Sequence, residues 1–365
     1  MTTSSGRQAY LDWVRGLAVL IMIEAHVLDS WTRFPDRSTN AFGWAMVLGG
    51  FGAPMFLFLA GVSLVLSAES KCRKTGEFAR AWRAVQTRGW QVFGLAFLFR
   101  LQSYILTAGY SAMSLLKVDI LNVMGPAIAL AAFAGSFVKS KSRRTLLFSA
   151  IAVSIAMVTP IVRTTWLLDW LPDPVEWYFR PTPGRTNFTI FPWSGFLFAG
   201  AAVGEVIDGM YAADAKAIRN QLALGVSAIT IAWLGYRASF LPSIYAQSEF
   251  WTSSPTFFFL RVGLIMVILP ITFFWERTPW RGVVSHWSPI VELGKASLFV
   301  YWIHVEMVYG FISRPLRKSL SFGGAIGVDV LFSAFLLGLV LWRNRLVSMK
   351  KVPPLGATGP TPASI

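Results

Sequence analysis

Residues 43–67 read GWAMVLGGFGAPMFLFLAGVSLVLS, a run without a single Asp, Glu, Lys or Arg. A bilayer's hydrocarbon core calls for about 20 mostly apolar residues in a helix, and this stretch is long and apolar enough to cross. Nine more stretches of the same kind lie outward from it, near 10–29, 88–107, 117–138, 145–161, 187–210, 221–240, 256–275, 290–311 and 323–342. Composition agrees. The chain has 365 residues, of which 55% are hydrophobic and 14% charged, where soluble domains carry about 25% charged residues. Sixteen Trp and 29 Phe suit a protein with aromatic rings at membrane interfaces. The expected fold is all-α, a polytopic transmembrane helical bundle of about ten spans. One membrane domain takes up 1–350, and the Pro/Gly/Ser/Thr-rich tail 351–365 reads as disordered and cytoplasmic.

Charge gives orientation. With the N-terminus placed in the cytoplasm, the cytoplasmic loops hold Lys71, Arg73, Lys74, Arg80, Arg83, Arg88, Lys139, Lys141, Arg143 and Arg144, joined by Arg7, Lys216, Arg219, Arg277, Arg281, Arg343, Arg345, Lys350 and Lys351. The opposite loops hold fewer, so the Lys/Arg bias predicts both termini in the cytoplasm. The net charge of +15 is then a topology signal and an attraction to anionic lipid, and nucleic acid is not an expected partner. Glu24 and His26 interrupt the first apolar run and no small-residue cleavage site follows, so the N-terminus does not read as a cleaved signal. Cys72 is the single cysteine, which leaves no intrachain disulfide, and three histidines scattered along the chain make no metal set. Walker A, HExxH, GxSxG and GxGxxG motifs are absent.

Ionisable residues inside spans are costly and mark function by default. The first span, YLDWVRGLAVLIMIEAHVLDSW, carries Arg15 and His26 on one face, about 16 Å apart along the axis. Glu24 projects elsewhere. The alternative is that Arg15 snorkels and His26 is a satisfied packing histidine. The fourth span opens KVDILNVMGP, with Asp119 and Asn122 at i, i+3. The ninth, GKASLFVYWIHVEMVYG, sets Ser297, Tyr301 and His304 at i, i+4, i+7, a polar stripe that faces the bundle interior either as a site or as interhelical glue. The loop 162–186 is rich in Trp, Tyr and Pro; it reads as an interfacial aromatic belt, with a pocket cover as the alternative.

LDWVRGLAVLIMIEAH followed by GAPMFLFLAGVSL resembles the opening of the heparan-α-glucosaminide N-acetyltransferase-like membrane family. VDILNVMGPAIAL, TIFPWSGFLFAGAAVGE and GKASLFVYWIHVEMV fit its later blocks in order, over about residues 8–310. The Arg-x10-His spacing of the first span is also similar to the acyltransferase-3 membrane family. His26 stands where the animal lysosomal members have Asn, and the stretch after it, DSWTRFPDRSTNAFGW, has no His. The resemblance implies transfer of an acyl group, usually acetyl from cytoplasmic acetyl-CoA, to an extracytoplasmic sugar or other amine or hydroxyl acceptor. It assigns His26 the catalytic position, with Arg15 in support.

The expected site follows: His26, Asp119 and His304 catalytic; Arg15, Glu24, Asn122, Tyr301 and Trp193 toward substrate; Arg80, Arg83 and Arg88 toward the nucleotide end of acetyl-CoA, the co-substrate; no metal. The expected partners are the bilayer and a small-molecule or glycan acceptor, and a homodimer is compatible. The expected location is the cell membrane, in a bacterial member the inner membrane. A proton-coupled transporter or flippase is the alternative function, since buried charges on facing helices would serve it as well.

Overall fold

A computed structural model describes residues 9–106, 111–208, 215–277 and 287–349. The tail 351–365, His286 and the cations Arg7, Arg281, Lys350 and Lys351 lie outside the described residues. Among the described residues the structure is helical, with two isolated β-bridges and no strand. Six helical segments among the described residues are long and apolar enough to cross a membrane: Asn40–Thr75, Lys141–Thr164, Ile190–Ile207, Ala215–Ala238, Pro255–Glu276 and Phe322–Met349. This is fewer than the expected ten. The remaining expected spans form helices that are charged, short or broken.

The first helix, α1 (Ala9–Trp31), is the hub, packed against six other helices. The run 43–67 divides into α2 (Asn40–Gly49) and α3 (Gly52–Thr75), bent at Gly50–Phe51. α4 (Phe78–Leu106) begins ten residues earlier than the expected 88, so Arg80, Arg83 and Arg88 are helical rather than loop residues. α5 (Ile120–Ser136) and α6 (Lys141–Thr164) follow, then the short α7 (Asp173–Glu176), α8 (Ile190–Ile207), α9 (Ala215–Ala238) and α10 (Pro255–Glu276). The expected span 290–311 breaks at Ala296 into α11 (Pro289–Lys295) and α12 (Ser297–Tyr309), and α13 (Phe322–Met349) closes the chain.

Small residues set the helix spacing, as membrane helices require where lipid supplies no hydrophobic drive. A Cβ on Gly200 would meet the carbonyl oxygen of Phe58 at 1.8 Å, and one on Gly61 that of Leu197 at 1.9 Å, so α3 and α8 touch backbone to backbone. α1 and α11 touch the same way through Gly16 against Ile290 and Gly294 against Asp12.

The end of the bundle that carries Arg15 is held by charge. Arg144 is 1% exposed and donates to both carboxylate oxygens of Glu205 (2.6 and 2.8 Å), to Glu69 (2.6 Å) and to the carbonyls of Val138 and Lys139. Beside it Asp208 accepts from Arg73 at 2.9 and 3.0 Å and from Lys141. Buried charges persist only when paired and hydrogen-bonded. Here α3, α6 and α8 each supply part of one satisfied network. The same end gathers the Lys/Arg-rich connections between α3 and α4 and between α5 and α6.

Candidate functional site

At the other end of the bundle α1 and α12 run side by side in the same direction. Ser30 Oγ and Trp31 Nε1 both donate to the carbonyl of Val308, at 3.2 and 3.3 Å. One turn earlier this register sets His26 Nδ1 2.9 Å from His304 Nε2, with the rings nearly parallel and their centroids 5.1 Å apart. His304 is fully buried, and its Nδ1 lies 2.8 Å from the carbonyl oxygen of Val300.

That carbonyl fixes the protons. A carbonyl only accepts, so His304 Nδ1 carries the hydrogen. A neutral imidazole has one N–H, which makes His304 Nε2 an acceptor. His26 Nδ1 must then donate to it. The lone pair of His26 is left on Nε2, and His26 lines a cavity of about 900 Å³. Tyr309 packs edge-on against His26, its centroid 5.5 Å away, and holds the ring from a second side.

Asp119 lines the same cavity and caps α5. Its Oδ1 accepts from the Ile120 N–H at 2.9 Å, and its other oxygen pairs with Arg100 of α4. Asn122 completes a capping box: its Oδ1 accepts from the Asp119 N–H at 3.0 Å, and its amide donates to Tyr178 at 3.3 Å. The i, i+3 spacing of Asp119 and Asn122 is therefore a helix-start signature. Asn122 is buried and lies outside the cavity lining. Lys117 precedes α5 and faces the cavity; burial first, and Arg100 second, push its amine below the ordinary lysine value.

Trp193 and Tyr301 also line the cavity. The loop after α6 divides between its two readings. Trp166 and Trp170 are exposed, as an interfacial belt requires, while Pro181 and Phe188, with Arg163 from the last turn of α6, form part of the cavity wall.

The other expected residues lie elsewhere. Arg15 is bound at the far end to Asp12 (2.6 Å) and to Ser63 of α3 (2.7 Å), outside the lining. Glu24 is half-buried between α1 and α2, outside the lining, and its Oε2 has no hydrogen-bond partner. Arg80, Arg83 and Arg88 are exposed on α4, Arg80 paired with Glu77 and Arg88 hydrogen-bonded to Gln91. Sequence reasoning did not assign Arg100, Lys117, Arg163, Arg261 or Glu306 to the site, and all five line the cavity. For Arg100 and Arg261 the signal was present as charge inside an apolar run. Glu306, two residues past His304, accepts from Ser103 of α4 at 2.7 Å. Among the described residues no group of three or more His, Cys, Asp or Glu is placed to hold a metal ion.

A neutral histidine base, an ion pair and aromatic walls in a cavity of this size suit proton removal from a bound hydroxyl or amine. The sequence profile of the heparan-alpha-glucosaminide N-acetyltransferase catalytic family matches residues 7–238. The matched part contains His26, Arg100, Asp119 and Trp193; His304 falls beyond it. The match does not show the acyltransferase-3 likeness, and no curated protein matches the chain. The profile spans well over half of the sequence, so the chain belongs to the family of the heparan-α-glucosaminide N-acetyltransferase catalytic domain, a family of membrane acetyltransferases.

Proposed function

We propose that the protein transfers an acetyl group from cytoplasmic acetyl-CoA to a hydroxyl or amine bound in the cavity at the opposite membrane face, with His26 as general base. The observation that carries this is the hydrogen-bond relay from Val300 through His304 to His26, which leaves the lone pair on Nε2 of a histidine that lines the cavity. The acceptor O–H or N–H gives its proton to Nε2 as its oxygen or nitrogen bonds the acetyl carbon. The thioester C–S bond breaks, and the departing thiolate takes the proton from His26. A positioned base is worth about 10²–10⁴-fold in rate. His304 orients the imidazole and excludes the wrong tautomer, as a third group does in other histidine-based sites. The ion pair of Arg100 and Asp119 faces the same space and serves to position the acceptor.

Arg15 belongs to the donor side in this scheme, and Arg80, Arg83 and Arg88 offer positive charge to the phosphates of acetyl-CoA at that surface. With both termini in the cytoplasm, the orientation that the Lys/Arg bias favours, the Arg15 end would face the cytoplasm and the cavity the opposite side. The decisive assay is release of free thiol from acetyl-CoA by purified protein given glucosamine as a trial acceptor. Acceptor-dependent release that His26→Ala abolishes is expected. A second reading, proton-coupled transport, draws on Glu24 and Asp329, whose carboxylates each keep a buried oxygen without a partner. Substrate accumulation in proteoliposomes without thiol release would favour it.

A further inference from the structure

Six cations line the cavity: Arg100, Lys117, Arg163, Arg261, Arg317 and Lys318. Four are engaged by the protein, Arg163 among them: one terminal nitrogen donates to the hydroxyl of Thr189 (3.3 Å) and the carbonyl of Phe191 (3.2 Å). Arg100 pairs with Asp119, Arg317 donates to the carbonyls of Tyr309 and Gly310, and Lys318 donates to the carbonyl of Asp29. The cavity's acids are occupied as well: Asp29 pairs with Arg37 and Glu306 accepts from Ser103. Lys117, Arg163 and Arg261 make no ion pair among the described residues. The Nε atoms of Arg163 and Arg261 are buried without any hydrogen-bond partner. Arg261 stands on a helix long and apolar enough to cross the membrane, held only by the faces of Phe257 (4.0 Å) and Phe51 (5.9 Å). Uncompensated guanidinium groups at such a depth are expensive and face partners or cavities. Their planar donor forks fit the oxygens of a phosphate.

A second cavity adjoins the first. A groove of about 620 Å³ runs between α6, α9 and α10, walled by Met157, Leu234, Ala238, Leu241, Phe250 and Phe259. Ser254 lines both. Leu234, Leu241 and Ile244 at its mouth are exposed, on the outside of the bundle where acyl chains lie. A polar cavity with spare positive charge thus shares the wall residue Ser254 with an apolar groove on the outside of the bundle. An anionic head joined to an apolar chain fits both, and a free sugar or coenzyme A would leave the groove unfilled.

Resting on the acetyl-transfer function proposed above, we infer that the acyl acceptor is a membrane lipid with a phosphate in its headgroup: the phosphate is held by Arg163, Arg261 and Lys117, and the hydrocarbon chain leaves past Ser254 through the groove between α6, α9 and α10. The hydroxyl or amine carried by that headgroup loses its proton to His26 Nε2 as it bonds the acetyl carbon, and the thiolate of the cleaved thioester takes the proton.

The test is lipid retention by the full-length protein in dioleoyl phosphatidylcholine nanodiscs that carry a small fraction of dioleoyl phosphatidic acid, with bound lipid counted by native mass spectrometry. Wild type should retain one phosphatidic acid. Arg261→Gln and Ala238→Trp, which fills the groove, should each weaken retention tenfold or more, and Arg261→Lys should lose less. Lys117→Gln gives the same readout should Arg261→Gln fail to fold. Arg314→Gln, an arginine outside the cavity, should retain lipid like wild type. Unchanged retention in Arg261→Gln and Lys117→Gln, equal loss in Arg314→Gln, or displacement by inorganic phosphate or coenzyme A would each overturn the lipid site. Thiol release with glucosamine and with phosphatidylethanolamine as trial acceptors separates the two ideas: turnover without lipid retention discards the lipid and keeps the transferase, and retention without turnover of either acceptor keeps the lipid site and discards the transferase.

Discussion

His304 Nε2 stands 2.9 Å from His26 Nδ1, and the carbonyl of Val300 holds the far side of the His304 ring at 2.8 Å. The pair joins α1 to α12 across more than two hundred and seventy residues of sequence, and it decides which nitrogen of His26 is the base.

The role of His304 is positional, which sets how its variants behave. Glutamine can place a carbonyl oxygen near the same point and accept from His26 Nδ1; phenylalanine cannot. His304→Gln should keep a measurable fraction of kcat, while His304→Phe should lose about as much as deletion of the base, on the order of 10²–10⁴-fold. KM for acetyl-CoA should change little in either. A large rise in KM with kcat intact would assign His304 to binding instead.

Arg144 shows what holds the opposite end together. Removing one partner from a buried, hydrogen-bonded ion pair costs about 3–5 kcal/mol, because the other charge stays buried. Arg144→Met leaves Glu205 and Glu69 facing one another and should lower the melting temperature of the detergent-solubilised protein by many degrees. Arg73, 44% exposed at its side chain, should matter far less to melting when replaced by Gln. Similar melting for the two variants would contradict the network's structural role.

Close helix contact makes a sharper packing prediction. A methyl group at Gly200 collides with the Phe58 carbonyl at 1.8 Å, whereas one at Gly43 meets nothing within 4 Å. Overpacking of this kind costs typically about 1–3 kcal/mol, and more where the neighbour is backbone. Gly200→Ala should reduce the yield of folded protein and its melting temperature, and Gly43→Ala should leave both near wild type.

Most of the fold class and part of the candidate site are legible in the sequence. Apolar runs gave the helices, and Arg15, His26, Asp119 and His304 stood out because charge in a span needs a reason. The contact between His26 and His304 was not legible, since it depends on α1 and α12 lying parallel in a register that nothing local specifies. The i, i+3 spacing of Asp119 and Asn122 fits a shared helix face as well as a helix cap, and only the start of α5 at Ile120 decides for the cap. Arg261 was visible as a charge and had no assignment, because its significance comes from partners it lacks.

Lys117 carries the pH dependence. Its folded-state pKa lies below the ordinary 10.5, with burial the first cause and Arg100 the second. The unfolded chain therefore binds more protons between the two values, and the folded state is penalised at neutral pH. That penalty fades as pH rises through the lowered pKa toward 10.5. Lys117→Met should raise the melting temperature at pH 7, and its advantage over wild type should shrink in a series of melts toward pH 10.5. An advantage that grows with pH would reverse the sign and refute the account of Lys117.

Reporter fusions address orientation. A cytoplasmic reporter should be active after Lys141 and after Lys351, and inactive within 170–180. Activity in the opposite pattern would put the cavity on the cytoplasmic face and separate it from the proposed acceptor.

The central claim is that His26 Nε2 is the base for acetyl transfer, and the most direct measurement compares thiol release from acetyl-CoA by wild type and His26→Ala under conditions where an acceptor product is confirmed. The account predicts a drop of about 10²–10⁴-fold in kcat, with melting temperature and acetyl-CoA binding close to wild type. Near-normal turnover by a folded His26→Ala protein would contradict it and return His26 to a packing role.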